Sequence, residues 1–377
     1  MVSSPLSTPK VAVTGTRGIP NIQGGIETHC EELFPRVATK GFDITIFRRK
    51  NYVNDQLSSY KGVSLYDLPN FKKKSFETIF HTLCAVWNAK WKLKADIVHI
   101  HAIGPAVLTP LARMLGLKVV FTHHGPDYNR AKWGKIAKFV LQLGERTGCR
   151  FANEVIVISN VINETIRRQY KRCDAYLIYN GVPDPVIIDD TSYLHQIGID
   201  PHKFIFTMGR FVPEKNFHTL IKAFANLKQS EYKLVIAGDA DIEDNYSKEL
   251  KRLAKDNDII LPGIIKEIRL QALLSHACLF VLPSSHEGLP IALLEALSYR
   301  LPVIVSDIPA NRSVGLSEDC YFPPDNEMAL SRLLEEKLKS KPFAITYDLK
   351  KYNWDTIAEE TAQVYNKLMN RSNSCEQ

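Results

Sequence analysis

The chain has 377 residues, of which 45% are hydrophobic and 24% charged, a composition typical of a soluble globular protein large enough for two domains. No apolar run reaches the roughly 18 residues of a membrane-spanning helix, and the opening residues lack the apolar segment of a signal peptide. The seven cysteines are dispersed without the Cys-x-x-Cys spacing of a zinc site. We therefore expect reduced thiols and a cytoplasmic protein.

Charge is distributed unevenly along the chain. Residues 1–183 carry 26 Lys and Arg against 13 Asp and Glu, whereas the remainder carries 22 against 28. A basic half followed by a mildly acidic half indicates two domains, the first of which faces an anionic partner.

The first half alternates predicted strands and helices, which indicates a parallel sheet with helices on both faces. The strand patterns lie at 10–15, 43–48, 63–67, 96–101, 118–123 and 154–159, and the helical patterns near 26–40, 76–93, 105–116, 132–147 and 160–170. A glycine loop with Gly24 and Gly25 separates the first strand from the first helix. Strand, glycine loop and helix is an arrangement that binds phosphate groups.

The alternation stops at Asn180-Gly181-Val182-Pro183, and residues 184–203 read as a linker. A second series then follows, with strands at 204–208, 233–237, 258–261, 278–282 and 302–305 and helices at 216–228, 246–256, 266–276, 290–299 and 327–338. We predict a first doubly wound domain over 1–183 and a second over 204–350. Residues 351–377 are expected to form a helix that packs back towards the first domain.

The stretch Ser284–Leu297 has the features of a binding site. Pro290 suits the first turn of a helix, and Gly288 allows the backbone before it to approach a ligand closely. The free amides of that helix start would bind an anion. Glu287 precedes the helix and Glu295 lies inside it, where a carboxylate needs the hydrogen-bond donors that a ligand rich in hydroxyls supplies. A solvated helix face is the alternative for Glu295.

Two cations follow the first strand of the second domain. Arg210 and Lys215 lie where ligands bind in doubly wound domains, at the carboxyl end of a strand. A guanidinium can bind two phosphate oxygens at once, and an ammonium adds a point charge, so the pair could neutralise a diphosphate. Solvated surface cations are the alternative.

Four histidines mark the ends of two predicted strands. His99 and His101 end one strand, and His123 and His124 end the next. Most histidines are structural, but two pairs at neighbouring strand ends indicate a shared cleft. They lack carboxylate companions at zinc-site spacing, so we predict no metal.

Basic and aromatic residues alternate in two segments of the first half. Phe71–Lys74 leads into a helix with Trp87 and Trp91, and residues 130–139 mix four cations with Trp133, Ile136 and Phe139. This mixture suits an anionic membrane surface, although a charged outer face over a core has the same pattern. Nothing resembles a nucleic-acid reading helix or sheet.

Together these motifs give the chain a family resemblance. It resembles the retaining glycosyltransferases of family 4, which have the GT-B fold, an α/β fold of two doubly wound Rossmann-like domains facing across a cleft. The matching motifs are Glu287 with Glu295 (E-x7-E), Arg210 with Lys215, Gly24-Gly25-Ile26-Glu27, Asn180-Gly181-Val182, Gly238-Asp239 and Gly263. The opening GTRGIPxxxGGxET is similar to a subgroup often described as rhamnosyltransferases.

The resemblance implies that the Rossmann-like domain over 1–183 binds the acceptor and that the one over 204–350 binds the nucleotide sugar. It also implies a role for each matching residue. Glu287 would hold the hydroxyls of the donor sugar and Glu295 those of the ribose. Arg210 and Lys215 would bind the diphosphate. The remaining donor-side groups would be the amides of Gly288 and Leu289, the loop of Gly24 and Gly25, and Gly263. The acceptor side would include Glu27 and a catalytic histidine, which matches His124 best and His101 second.

The resemblance also implies a reaction. A sugar would pass from dTDP-rhamnose or a UDP- or GDP-hexose to a glycan or lipid-linked saccharide in cell-surface polysaccharide synthesis, at the inner face of the membrane. Retention would follow from displacement on one face, with the charged residues and helix dipole stabilising the leaving group and no cofactor or metal. Asp239-Ala-Asp241 resembles the metal-binding motif of another glycosyltransferase class, but its position predicts a loop turn.

Three other functions remain open from the sequence. A nucleotide-sugar epimerase could share the shape, but it needs acid and base groups at the anomeric centre. A nicotinamide oxidoreductase fits the Rossmann-like start but not the missing Gly-x-Gly-x-x-Gly motif. A glycan-binding scaffold would not require the complete set of charged residues.

Overall fold

A computed structural model describes residues 8–53, 55–69, 74–129, 134–227, 231–339 and 347–373. The strands are β1 Lys10–Thr14, β2 Asp43–Arg49, β3 Ser59–Tyr60, β4 Val63–Leu68, β5 Ile97–His101, β6 Lys118–His123, β7 Glu154–Val157, β8 Tyr176–Leu177, β9 Phe204–Met208, β10 Lys233–Ala237, β11 Leu279–Leu282, β12 Val303–Ser306 and β13 Tyr321–Phe322. The α-helices are α1 Gly25–Ala38, α2 Lys74–Asn88, α3 Thr109–Met114, α4 Lys135–Phe151, α5 Asn160–Tyr170, α6 Ser192–Gln196, α7 Phe217–Ala225, α8 Asn245–Asp256, α9 Glu267–His276, α10 Ile291–Ser298, α11 Pro309–Arg312, α12 Glu327–Lys339 and α13 Trp354–Asn373.

The chain forms two compact units. Unit 1 comprises Met1–Gly181 together with Lys351–Gln377, and unit 2 comprises Val182–Lys350. The segment 184–203, predicted as a linker, belongs to unit 2 and contains α6. Leu194 and Ile199 are buried there, so the segment is held by apolar packing that its polar composition does not reveal.

Unit 1 is built around a sheet that has eight strands among the described residues, in the order β3-β4-β2-β1-β5-β6-β7-β8. All neighbours are parallel except β3 and β4. The central strand β1 pairs Val11 with Ile44 on one side and with Ile97 on the other. Its side chains are buried on both faces, as expected for a parallel sheet covered by helices.

The helix α13 closes one side of unit 1. Its residues Trp354, Ile357 and Tyr365 share a buried cluster with Phe34 and Val37 of α1. This apolar face explains why a segment separated in sequence belongs to unit 1. Within the described residues, no helix is both long and apolar enough to cross a bilayer.

Unit 2 contains a parallel sheet in the order β10-β9-β11-β12-β13 among its described residues. The strand predicted at 258–261 is wrong: the segment forms one isolated bridge, between Ile260 and Val235. Asp258 has a φ of 55°, which is incompatible with an extended strand. The four strand patterns at 204–208, 233–237, 278–282 and 302–305 correspond to β9, β10, β11 and β12.

Candidate functional site

The two cations predicted to bind a diphosphate lie after β9 in unit 2, and each is held by a carboxylate. Lys215 donates from Nζ to Oε1 of Glu287 over 2.6 Å, and both side chains are largely shielded, with 20% and 11% exposed. Arg210 donates from Nη1 to Oδ2 of Asp241 over 3.0 Å. The loops after three strands of unit 2 thus bring charged groups together at the carboxyl edge of its sheet.

A backbone bridge fixes the spacing of the loops that carry Lys215 and Glu287. The amide of Ser285 donates to the carbonyl of Glu214 over 2.9 Å, and the Ser285 hydroxyl donates to the same oxygen. The contact joins residues that neighbour the charged pair in each loop. The Lys215–Glu287 contact therefore belongs to a braced arrangement rather than to two mobile surface side chains.

The helix α10 begins one residue later than the sequence indicates. Pro290 has extended backbone angles and forms the N-cap, and its carbonyl accepts from the amides of Leu293 and Leu294. Gly288 and Leu289 lie in the loop that enters this helix, whose start carries a partial positive charge. Glu295 is half-buried on the helix, between the buried Leu294 and Ala296.

Gly263 lies close to the end of β10. Its carbonyl accepts from the amide of Gly238 over 2.8 Å, and its φ of 76° favours glycine. Asp239 follows Gly238 and pairs with Lys251 over 3.0 Å, while Asp241 pairs with Arg210. Both carboxylates of Asp239-Ala-Asp241 are therefore engaged by cations, as suits a structural loop.

In unit 1, the glycine loop is shaped by a buried ion pair. Glu27 accepts from Nε of Arg17 over 3.1 Å and from the Arg17 amide over the same distance. A Cβ on Gly24 would lie 2.1 Å from Glu27 Oε2 and 2.6 Å from Arg17 Nη2, and its φ of 147° also requires glycine. Gly25, the first residue of α1, has no such constraint. Glu27 thus has a structural role, and its acceptor-side role stays a prediction.

The four histidines predicted at the strand ends fall into two classes. Both ring nitrogens of His99 form hydrogen bonds, Nδ1 with the hydroxyl of Tyr365 over 2.5 Å and Nε2 with the hydroxyl of Thr122 over 2.6 Å. Both ring nitrogens of His123 also form hydrogen bonds, Nε2 with the carboxylate of Glu145 and Nδ1 with the amide of Gly125. These two histidines are structural.

His101 and His124 instead contact each other, with Nδ1 and Nε2 2.9 Å apart. His29 of α1 completes this group, its ring centroid 4.9 Å from that of His124. The sequence did not single out His29, because it reads as one position of an amphipathic helix. The available signal was that His29 lies four residues after Gly25, on the same face of the helix as the end of the glycine loop.

A fully buried carboxylate anchors the loop that carries His124. Glu145 of α4 accepts from His123 over 2.7 Å and from the hydroxyl of Tyr170 over 2.6 Å, and Tyr128 donates over 3.2 Å. Burial raises the pKa of Glu145, but these three hydrogen bonds outweigh burial and leave the pKa below its usual 4.5. The carboxylate is therefore charged and fixes the segment between His123 and Tyr128.

We expect Glu145→Ala to lower the free energy of unfolding by about 3 kcal/mol at pH 7, because it leaves the buried His123 N–H without an acceptor. Since the pKa is lower in the folded chain, this stabilisation is complete above about pH 4.5 and is lost as the pH falls through the folded pKa. Urea unfolding at pH 7 and at pH 4 measures both effects. Glu164→Ala is the control, since it removes only an exposed pair with Arg168. Equal stability of the two variants at pH 7 would contradict the role of Glu145.

Comparison with known proteins matches each half of the chain to a family of glycosyltransferases. The family described as "Glycosyltransferase Family 4" matches residues 23–184, and that described as "Glycosyl transferases group 1" matches residues 191–355. A UDP-Gal:alpha-D-GlcNAc-diphosphoundecaprenol alpha-1,3-galactosyltransferase of Escherichia coli is 28% identical, over 87% of this chain and 89% of its own. An uncharacterized glycosyltransferase of Methanocaldococcus jannaschii is 24% identical, over 96% and 98%.

Solved structures agree in fold. A sucrose-phosphate synthase from Thermosynechococcus elongatus superposes with a TM-score of 0.79 at 21% identity, covering 96% of this chain and 100% of its own. HepE of Anabaena, solved with UDP and glucose, gives 0.78 at 17% identity, covering 95% and 99%. The protein is thus a GT-B glycosyltransferase that uses nucleotide sugars in glycan synthesis. It belongs to glycosyltransferase family 4, as its motifs predict.

Proposed function

We propose that the chain is a retaining hexosyltransferase that moves a sugar from a UDP-hexose to a saccharide carried on a lipid diphosphate, in cell-surface polysaccharide synthesis. The observation that carries the proposal is the braced Lys215–Glu287 pair, with Arg210 on the same loop as Lys215. The E. coli relative is named for a UDP-linked donor and a diphosphoundecaprenol acceptor, which supports both choices. A dTDP-rhamnose donor is the alternative that the GTRGIP opening suggests.

The proposed reaction exploits the charged residues of unit 2. A diphosphate carries more negative charge than a carboxylate, so it can displace Asp241 and Glu287 as the ion-pair partners of Arg210 and Lys215. Glu287 then accepts hydrogen bonds from sugar hydroxyls, and Glu295 from the ribose. Charge develops on the leaving phosphate oxygen as its bond to the anomeric carbon breaks, and the two cations stabilise that charge most in the transition state.

The acceptor hydroxyl attacks the anomeric carbon on the face that the diphosphate leaves, and its proton passes to the leaving phosphate oxygen. No protein nucleophile takes part, so the two glutamates bind substrate rather than act as a glycosidase pair. Burial and nearby imidazoles hold the pKa of His124 well below 6.5, so it is neutral at pH 7 and able to orient an acceptor hydroxyl.

The release of nucleoside diphosphate tests the function. A thermal-shift screen with UDP-, GDP- and dTDP-sugars first identifies the donor, because a bound ligand stabilises the folded chain. That donor and a lipid-diphosphate saccharide should then give one nucleoside diphosphate per glycosidic bond formed, with the anomeric configuration retained on analysis by NMR. An epimerase would change the donor sugar without this stoichiometric release, and a scaffold would bind without turnover.

We expect EDTA to leave the transfer rate unchanged. The leaving group has Arg210 and Lys215 for charge stabilisation, and Asp239 and Asp241 are engaged by cations. Initial rates are compared before and after dialysis against the chelator. A loss of activity that Mn²⁺ restores would revive the metal-binding interpretation of Asp239 and Asp241.

We also propose that unit 1 contacts an anionic membrane surface through α2 and α4. Trp87 of α2 and Trp91, just after the end of α2, are mostly exposed, with their ring centroids 5.9 Å apart, and α4 exposes Ile136 and Phe139, at 83% and 65%. Both helices pack against the turn at Pro105–Leu108. Residues 71–73 and 130–133, part of the predicted contact, lie outside the described residues. The excess positive charge of residues 1–183 favours such a surface.

The double substitution Ile136→Glu with Phe139→Glu should reduce partitioning onto anionic vesicles by about 100-fold, because it removes the burial of two apolar side chains at roughly 1.5 kcal/mol each. Sedimentation with vesicles at low and high salt measures the effect. Ile242→Glu with Ile268→Glu, which changes two similarly exposed residues of unit 2, is the matched control. Equal sedimentation of both double variants would remove the membrane proposal for α4.

A further inference from the structure

Three imidazoles converge in unit 1 from separate elements. His29 lies on α1, His101 ends β5, and His124 follows β6. One ligand nitrogen from each ring lies within 4.8 Å of the other two. His29 and His101 are buried, whereas His124 is half-buried and gives the group a route to solvent.

The contact between His101 and His124 brings two ring nitrogens together. Nδ1 of His101 and Nε2 of His124 lie 2.9 Å apart, and two imidazole nitrogens in a hydrogen bond share a single hydrogen. Among the described residues, the other nitrogen of His101, Nε2, is buried without a hydrogen-bond partner.

The third ring, that of His29, is oriented by a hydrogen bond with Asn180. Nδ1 of His29 lies 2.8 Å from Oδ1 of Asn180, so Nδ1 carries the hydrogen and Nε2 the lone pair. A hydrogen bond from the outer nitrogen of a ligand histidine to an oxygen is the usual support of a metal site. Asn180 belongs to the Asn-Gly-Val segment at the end of the first stretch of unit 1. That segment therefore also orients the ring of His29.

The distances suit a small ion after modest adjustment. Nitrogens around a tetrahedral ion with bonds of 2.0–2.1 Å lie about 3.3 Å apart. The His101–His124 pair would open slightly from 2.9 Å. The widest separation, at most 4.8 Å, would close by about 1.5 Å, which rotation of the half-buried His124 ring can supply.

The donor set selects the class of ion. All three ligands are imidazoles, which suit Zn²⁺, Co²⁺, Ni²⁺ and Cu²⁺, whereas Mg²⁺, Ca²⁺ and Mn²⁺ prefer oxygen ligands. Three histidines also leave a fourth position for water.

We propose that His29, His101 and His124 bind one Zn²⁺ or a similar divalent transition-metal ion, and that this ion inhibits sugar transfer. This departs from the expectation from sequence that the histidines bind no metal. The inhibition rests on the proposed function, because the ion would withdraw His124 from the acceptor hydroxyl. The reaction itself stays independent of metal, and the ion acts as a reversible inhibitor.

Metal binding is tested on the full chain without any sugar nucleotide. After treatment with EDTA, titration with Co²⁺ should produce the visible absorption of a four-coordinate site at one equivalent, and Zn²⁺ should abolish it. His29→Gln and His124→Gln should each weaken Co²⁺ binding more than Asn180→Ala, which should weaken it about tenfold. His195→Gln, which removes an exposed histidine of unit 2, should bind as the wild type.

Circular dichroism and urea unfolding in EDTA establish that each variant is folded before its titration is interpreted. His124→Gln is the most reliable variant, because its ring is only half-buried. Wild-type affinity in the folded His29→Gln and His124→Gln variants would overturn the site. An equal loss in His195→Gln, or the absence of a saturable site in the wild type, would also overturn it.

Inhibition is measured as a ratio for each protein, the transfer rate with Zn²⁺ divided by the rate in EDTA. At a free Zn²⁺ concentration ten times the dissociation constant, about 90% of the sites are occupied, so the wild-type rate should fall roughly tenfold and recover when EDTA is added. The ratio should be close to one for His29→Gln. Zn²⁺ binding without inhibition would overturn the inhibitory role alone. A protein that binds Co²⁺ but transfers no sugar would instead refute the proposed function.

Discussion

Replacing Lys215 with alanine is expected to slow sugar transfer by about 100- to 1,000-fold, the usual effect of removing one preorganised charge-stabilising donor. Arg210→Ala should have an effect of the same order. Both cations act on charge that grows as the diphosphate leaves, so kcat should fall more than the affinity for free nucleoside diphosphate. Steady-state kinetics together with calorimetric titration of the nucleotide separates the two quantities.

The interpretation needs two controls because Lys215→Ala also leaves Glu287 without its ammonium partner. The double variant Lys215→Ala with Glu287→Gln removes the carboxylate charge and tests whether repulsion of the diphosphate causes the loss. Lys251→Ala breaks a comparable lysine–carboxylate pair, between α8 and Asp239 of the loop after β10, and should change kcat by less than about twofold. A Lys215→Ala enzyme with kcat close to that of the wild type would refute the diphosphate assignment.

Trp354→Ala is expected to lower the free energy of unfolding of unit 1 by about 3–5 kcal/mol, as for other buried tryptophans reduced to alanine. The indole is 3% exposed and lies against Gly181, where a Cβ would approach the ring to 2.4 Å. It also contacts His29, with ring centroids 5.7 Å apart. Gly181→Ala should destabilise the same unit, because the added methyl has no room.

Hydrogen exchange resolved by peptide is the suitable measurement, since two units need not unfold together. Faster exchange in α1 and β1, with unit 2 unchanged, is the expected pattern. Trp87→Ala, which removes an indole that is 59% exposed, is the matched control and should shift stability by less than about 1 kcal/mol. A Trp354→Ala protein with wild-type exchange in unit 1 would contradict the proposed packing.

Much of the fold follows from short-range pattern. The apolar runs of β1, β5, β6 and β9 predict buried parallel strands because both faces of these sheets are covered. The segment 258–261 is also apolar but forms one isolated bridge to β10, and Asp258 at its start has a positive φ that an extended strand does not allow. Local composition indicates strand preference, whereas the extent of a strand also depends on backbone angles such as the φ of Asp258.

The candidate site was predictable in composition but not in its contacts. The charged residues of unit 2 stand out because they follow strands, yet Lys215 and Glu287 are 72 positions apart, and only the folded sheet brings their loops together. Likewise, the four strand-end histidines look equivalent in the sequence. Their roles differ because His99 and His123 find polar partners inside unit 1, on Tyr365, Thr122 and Glu145. His29 was missed because a helix face does not show what lies opposite it.

The position of α13 has a consequence for how the protein is made. During synthesis, residues 10–181 emerge from the ribosome first. The apolar face that these residues present to α13 stays uncovered until residues 354–373 have emerged. Unit 2 is continuous in sequence and can complete its core earlier, although it is synthesised later. We therefore expect unit 2 to complete its core before unit 1, whose surface for α13 stays exposed while unit 2 is translated.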